Sequence, residues 1–260
     1  MRPARALLST LAVAIAVAAM PAQATDFGQV ELVKGPVSVQ AQDGHVSTPR
    51  VGDTVPSGAQ IVTGRDGELQ IATADSGFIA VRPNTRLRIA DYRAEGDERD
   101  TQALALLRGT FRSITGWIGR YNADRYRVTT PAATIGVRGT DHEPSYWLAE
   151  DLDDGDDEAR EEGTYDKVNE GASFIENESG RVDIASGQAG FAKFRGRPAR
   201  LKHVPRRFRA SLHEKRIVER REFLKSVREK RRIELRERLK QRHERAQERR
   251  KDRRDRHRGN

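Results

Sequence analysis

No cysteine occurs among the 260 residues. That excludes a disulfide framework, thiol catalysis, a cysteine-ligated metal and an acylated lipoprotein anchor. Aromatics are scarce, at 6% with two tryptophans, and hydrophobic residues reach only 36%. So few apolar side chains build a core for part of the chain, not for all of it. Proline and glycine are absent between Ser211 and Arg256, so nothing there breaks a helix. Also missing are a serine nucleophile elbow, H-E-x-x-H, a P-loop and a dinucleotide fingerprint. With them go the usual signatures of hydrolases, zinc proteases and nucleotide enzymes. The chain reads as non-enzymatic and without a cofactor.

One long apolar run exists. Ala6 to Met20 is alanine-rich, follows Arg2 and Arg5, and leads to Ala22-Gln-Ala24. The run is shorter than the ~20 residues of a membrane span, and the A-x-A site marks a cleaved signal peptide over residues 1–24. The expected compartment is therefore periplasmic or secreted. The net charge of +9 is unevenly spread: Glu150 to Glu178 is acidic, and the chain after Arg195 is basic.

From Phe27 the chain reads as short strands divided by Gly, Asp, Asn and Pro. Alternation is clear in Glu68 to Thr73, where Leu69 and Ile71 point one way and Glu68 and Gln70 the other. It recurs in Thr85 to Ile89, with Leu87 and Ile89 inward. Strands of four to seven residues with such turns predict an all-β domain over residues 25–197. A sandwich or jelly-roll-like form and a short β-solenoid both fit, and the sandwich is preferred because no strict repeat is visible.

The richest stretch is Arg125 to His142. It predicts a strand over Tyr126 to Thr130, ended by Pro131, then a second strand over Ala133 to Val137. A glycine-bracketed corner follows: Gly136, Arg138, Gly139, Thr140, Asp141 and His142. A guanidinium held there can either lock loops through main-chain carbonyls or meet a carboxylate. Phe111, Trp117, Thr130 and Pro131 are the expected core motif beside it. Pro144 to Leu148, Tyr165 to Glu170, Ala172 to Asn177, Arg181 to Ala185 and Gly190 to Phe194 are further strands.

Together with Gly109 to Gly119, Gly163 to Val168 and Gly187 to Phe191, this stretch resembles the FecR domain of bacterial envelope proteins. The resemblance covers most of residues 27–194. It implies an all-β envelope-sensing module that works through a protein partner. The best-known members resemble anti-sigma regulators with a membrane span and a cytoplasmic helical segment. Such a layout is not seen in this sequence, so direct sigma-factor control is not expected.

Residues 198–260 predict a long basic α-helical tail. Ser211-Leu-His-Glu214 has the form of a capping box. Ile217, Val218, Phe223, Leu224, Val227, Ile233, Leu235 and Leu239 form a broken apolar stripe, and the first half is expected to dock or pair. Nucleic acid is not the expected partner, because the protein is read as exported and the tail lacks interleaved aromatics. Anionic envelope polymers are an alternative partner for it.

Among six histidines only His142 sits in a dense polar context, Asp141-His142-Glu143. Neighbouring strand residues face opposite sides, which argues against shared ligation of one ion. The acidic loop 150–162 offers Asp151, Asp153, Asp154 and Asp156 as calcium ligands. Its glycine does not fall where an EF-hand needs it, and a flexible acidic loop is the competing reading.

Overall fold

The computed structural model describes residues 26–152, 159, 161–208, 213–227 and 229. The expected signal peptide, Asp153, Asp154, Asp156, Ser211 and residues 230–260 lie outside the described residues.

The described chain is dominated by strands. They are β1 (Asp26–Lys34), β2 (Val37–Gln40), β3 (Val46–Ser47), β4 (Thr54–Pro56), β5 (Gln60–Thr63), β6 (Glu68–Thr73), β7 (Phe78–Val81), β8 (Arg86–Arg93) and β9 (Thr101–Ile114). A four-residue helix, α1 (Ile118–Tyr121), precedes β10 (Tyr126–Thr129), β11 (Thr134–Trp147), β12 (Gly163–Asn177), β13 (Gly180–Ala185), β14 (Ala189–Ala192) and β15 (Ala199–Arg200). All fifteen join one hydrogen-bonded network. The β9–β10 ladder is parallel, and the other described ladders are antiparallel. Coils of a β-solenoid stack in parallel, so that alternative is excluded.

Strand β9 is where the network folds over. Its first half lies between β8 and β10, and its second half between β7 and β11. The inward side chains of both halves meet in one main core, which includes Leu69, Ile71, Ile79, Val81, Leu87, Ile89, Phe111 and Val128. Each such side chain, fully buried, contributes about 1.5–3 kcal/mol.

Two expectations about strand ends are corrected. The two strands read at Ala133 to Val137 and Pro144 to Leu148 are one strand, β11, of 14 residues. Tyr165 to Glu170 and Ala172 to Asn177 are likewise one strand, β12. The glycines read as ends are a bulge inside a ladder. Gly139 (φ +62°) and Gly171 (φ +85°) face each other there, and a Cβ on Gly171 would press on the Gly139 carbonyl. After Ile114, the last residue of β9, the chain turns into α1.

That turn is tightly built. Trp117 N–H donates to the Asp75 carbonyl (3.0 Å), and a Cβ on Gly116 would overlap that same oxygen. The same Cβ would also meet the Asp75 carboxylate, which is fully buried and held by Thr73 and Tyr92, so neither neighbour yields easily. Gly116→Ala is expected to destabilise the fold by about 2–3 kcal/mol, read from urea unfolding; a loss below about 0.5 kcal/mol would contradict this packing.

The expected long α-helical tail is also corrected. Among the described residues, α-helix is confined to α1 and to residues 214–227 and 229. The described residues after 197 lie on the β domain. Strand β15 pairs with β14, and Phe208 packs with Trp147, Tyr165 and Ala159 in a second apolar cluster. Among the described residues no helix is long and apolar enough to cross a membrane.

Candidate functional site

Strand alternation sorts the polar residues into an inner group and an outer group. On β11, His142 points inward, while Asp141 and Glu143 point to the other face.

The inner group is a chain of hydrogen bonds. His142 Nδ1 lies 3.0 Å from Asp166 Oδ1, and Nε2 lies 3.0 Å from the Tyr126 hydroxyl. Tyr126 is in turn 3.0 Å from Ser113 Oγ, and Ser173 Oγ donates to Asp166 Oδ2 at 2.5 Å. All five residues are at most 3% exposed. Burial pushes the Tyr126 hydroxyl well above its ordinary pKa. The residue types resemble a Ser-His-Asp arrangement, but the serine nearest the base reaches the imidazole only through Tyr126. Both ring nitrogens are engaged, and no solvent reaches them. This group ties β9, β10, β11 and β12 together; it offers a substrate no access.

The outer group lies on a face made by β6, β7, β9, β11 and β12. Phe78, Ala80 and Ile114 supply a small apolar patch separate from the main core. Arg112 grips Asp141 with two bonds, Nε to Oδ1 and Nη2 to Oδ2, both 2.7 Å. Arg82 Nη2 is 3.4 Å from Glu143 Oε2. Lys167 Nζ donates to Glu143 Oε1 at 3.0 Å, and Asn169 Nδ2 donates to both carboxylates. Burial works against the charge on Asp141, yet its bonds to Arg112 outweigh this and hold the carboxyl below the usual range. Burial likewise opposes the Arg112 charge, and the same pairing raises its pKa in spite of it.

That balance has a pH sign. A carboxyl whose folded pKa is depressed adds stability above its unfolded value of about 3.9, which is lost as pH falls through the folded value. The stability gap between wild type and Asp141→Asn is therefore expected to be full at pH 6 and to shrink below about pH 4. Urea titrations of both proteins at pH 6 and pH 3 measure it; a gap independent of pH would rule out the ionised pair.

Residues 214–227 cover this face. Ile217 and Leu224 are buried and complete the apolar patch. Glu214 pairs with Arg112 and lies 3.6 Å from Arg82. Arg221 reaches Asp141 (3.5 Å), His213 reaches Glu68 (3.1 Å), Arg220 reaches Glu31 (2.9 Å) and Lys225 reaches Glu170 (2.6 Å). The Glu214 carboxylate thus meets Arg112 and Arg82; Ser211, its partner in the expected capping box, lies outside the described residues.

The sequence-predicted residues divide as follows. Asp141 and His142 belong to the outer and inner groups. The corner is held by Thr140, whose Oγ1 donates to the Ala172 carbonyl (2.6 Å) and whose N–H donates to Thr115 Oγ1 (2.9 Å). The Arg138 side chain is exposed, and among the described residues no hydrogen bond or ion pair engages its guanidinium. Gly136 packs under the Phe174 ring. Phe111 is in the main core; Trp117 packs against it and donates to Asp100 (2.8 Å). Thr130 closes the β10–β11 turn through the Ala133 carbonyl (2.9 Å). Pro131 is not a core residue: it is exposed on an open depression of about 270 Å³ that Phe194 and Arg195 also line. Asp151 pairs with Arg108 at 2.5 Å. Among the described residues no His, Cys, Asp and Glu side chains form a metal-holding group.

Sequence reasoning missed Arg82, Arg112, Glu143, Asp166 and Glu214. A signal existed for two of them. Arg82 directly follows the four-residue apolar run of β7, and Arg112 follows Phe111 near the buried end of β9.

Residues 59–157 match the model of the FecR protein family, so the chain carries a FecR-family domain. The match holds Arg82, Arg112 and the whole Gly136–His142 corner; Gly163 to Val168 and Gly187 to Phe191 fall outside it. No curated protein matches the chain by sequence. Two crystal structures of a candidate anti-sigma factor from Parabacteroides distasonis are similar, at 11% and 10% identity and a TM-score of 0.41 each. Each alignment covers 56% of this chain and 61% of the other. A cell surface anchoring domain aligns at 24% identity over 24% of this chain and 82% of its own, with a TM-score of 0.23.

Proposed function

We propose that the chain is a non-enzymatic signalling module of FecR type that acts in the bacterial envelope by binding a protein partner. The observation that carries this reading is the FecR match over residues 59–157, which holds Arg82, Arg112, Asp141 and Glu143 of the charged outer face. The chemistry of the two polar groups supports it. The inner group is sealed and holds the sheet together. The outer group presents carboxylates and guanidinium groups around a small apolar patch, the make-up of a protein-recognition surface. The envelope location rests on the leader-like residues 1–24.

Fractionation and cross-linking of the full-length protein in intact cells test the reading together. The expected result is a chain shortened at its N-terminus, released with the periplasmic or envelope fraction and joined to one discrete protein adduct. A full-length chain retained in the cytoplasm, or one bound only to anionic polymers, would overturn it.

A further inference from the structure

The outer face is already occupied, by a part of the chain outside the FecR match. Three observations describe how residues 214–227 sit there.

First, the main core closes without them. Ile217 and Leu224 touch the separate patch of Phe78, Ala80 and Ile114, and none of the five is in the main cluster. Second, the charges beneath are balanced within the β domain. Arg112 is paired with Asp141, and Arg82 and Lys167 with Glu143, before Glu214 or Arg221 adds anything. Lifting the helix therefore leaves these charges paired, and Glu68, which His213 also meets, keeps the bond from the Gln70 amide (2.8 Å). Third, the fit is incomplete. Arg82 is 7% exposed, yet its Nε and Nη1 have no hydrogen-bond partner among the described residues, and neither do Gln70 Oε1 and Arg220 Nε. Buried donors are paired in most interfaces. Here donors on the face remain unused while the tail helix is in place.

We propose that this face is the docking surface for an amphipathic helix of a protein partner, and that residues 214–227 are an internal occupant which the partner displaces. The inference rests on the reading of the chain as a partner-binding module. The internal helix states what the partner must carry. It needs two aliphatic residues seven apart, as in Ile217 and Leu224. One turn ahead of the first it needs a carboxylate to meet Arg112 and Arg82, as Glu214 does. Basic residues must flank the stripe opposite Glu31, Glu68 and Glu170. A second carboxylate within reach of Arg82 would use the donors that the tail leaves idle, and would give the partner its advantage. Much of the docking is by ion pairs at partly exposed positions, so salt loosens the internal helix and favours exchange.

The test uses the full chain and a labelled synthetic peptide of residues 213–229. In Ile217→Asp/Leu224→Asp the internal helix is expected to leave the face while the β domain keeps its cooperative unfolding. The peptide should then bind this variant at least tenfold more tightly than wild type. Arg82→Ala added to the variant should weaken that binding about tenfold. Arg216→Glu/Arg220→Glu, altered only at the rim, should give an intermediate gain. Loss of the β domain's folding in both multiple variants would make the helix an integral part of the fold and overturn the proposal. A folded variant that ignores the peptide would overturn it too, while leaving partner binding elsewhere on the domain intact. A wild-type dimer that dissociates in Arg216→Glu/Arg220→Glu would place a second copy's helix on the face and overturn the assignment to a partner.

Discussion

Arg112→Met is expected to lower stability by about 3–5 kcal/mol, the largest loss from any single charged residue on the outer face. Both members of the Arg112–Asp141 pair are at most 3% exposed. Removing the guanidinium leaves the Asp141 carboxylate without its two 2.7 Å bonds in a site that water barely reaches. An exposed pair would lose about 0–1 kcal/mol, because solvent replaces the partner. Replacing both partners with apolar residues of similar volume removes the stranded charge. Arg112→Met/Asp141→Leu should therefore recover most of the loss. Urea unfolding followed by tryptophan fluorescence measures all three proteins. A single-variant loss below about 1 kcal/mol, or a double variant no better than the single, would show that the pair does not act as a buried unit.

A comparable loss is expected for His142→Ala, about 3–5 kcal/mol. The substitution empties a fully buried site in the main body of the sheet. It also leaves Asp166 and Tyr126 without the imidazole that bridges them. The two effects add, because the void is lined by groups that needed a polar neighbour. His142→Gln, which keeps bulk and a donor, should lose less than His142→Ala. The readout that separates this from a recognition role is the peptide experiment: a folded His142→Gln chain should bind as its parent does. Equal stability of wild type and His142→Ala would mean that the bridge contributes nothing.

These two residues show how much of the site was legible. His142 was singled out because it lay in a dense polar run, and its inward direction follows from alternation past Asp141. Its partners could not be read. Tyr126 lies 16 residues before it, on β10 beside the other half of β9, and Asp166 lies 24 after, on β12, where the ladder register sets it beside His142. Arg138 was the opposite case. Its place between two glycines looked like a lock, but the lock is Thr140, whose hydroxyl spans to β12. The strand pattern itself was largely readable, since Leu69, Ile71, Leu87 and Ile89 point inward as alternation requires. The long strands β11 and β12 were cut in two because a glycine signals a turn and a bulge alike; register with the partner strand decides between them.

Local sequence determined that the strand-rich domain is all-β with alternating faces, a conclusion that needs only short-range periodicity and turn chemistry; the likeness to FecR rests on its motifs and on the match over residues 59–157. The tertiary structure decided what each outward face meets. Glu68 and Gln70 alternate away from the core with Leu69 and Ile71, and Arg82, Arg112 and Asp141 are charged, yet all five are buried. The cause is long-range: residues 214–227 lie over this face, and His213 just before them reaches Glu68 from 145 positions away. The pattern of a strand records that a side chain points away from the core. Whether water or another helix waits there is set by chain segments too distant for that pattern to contain.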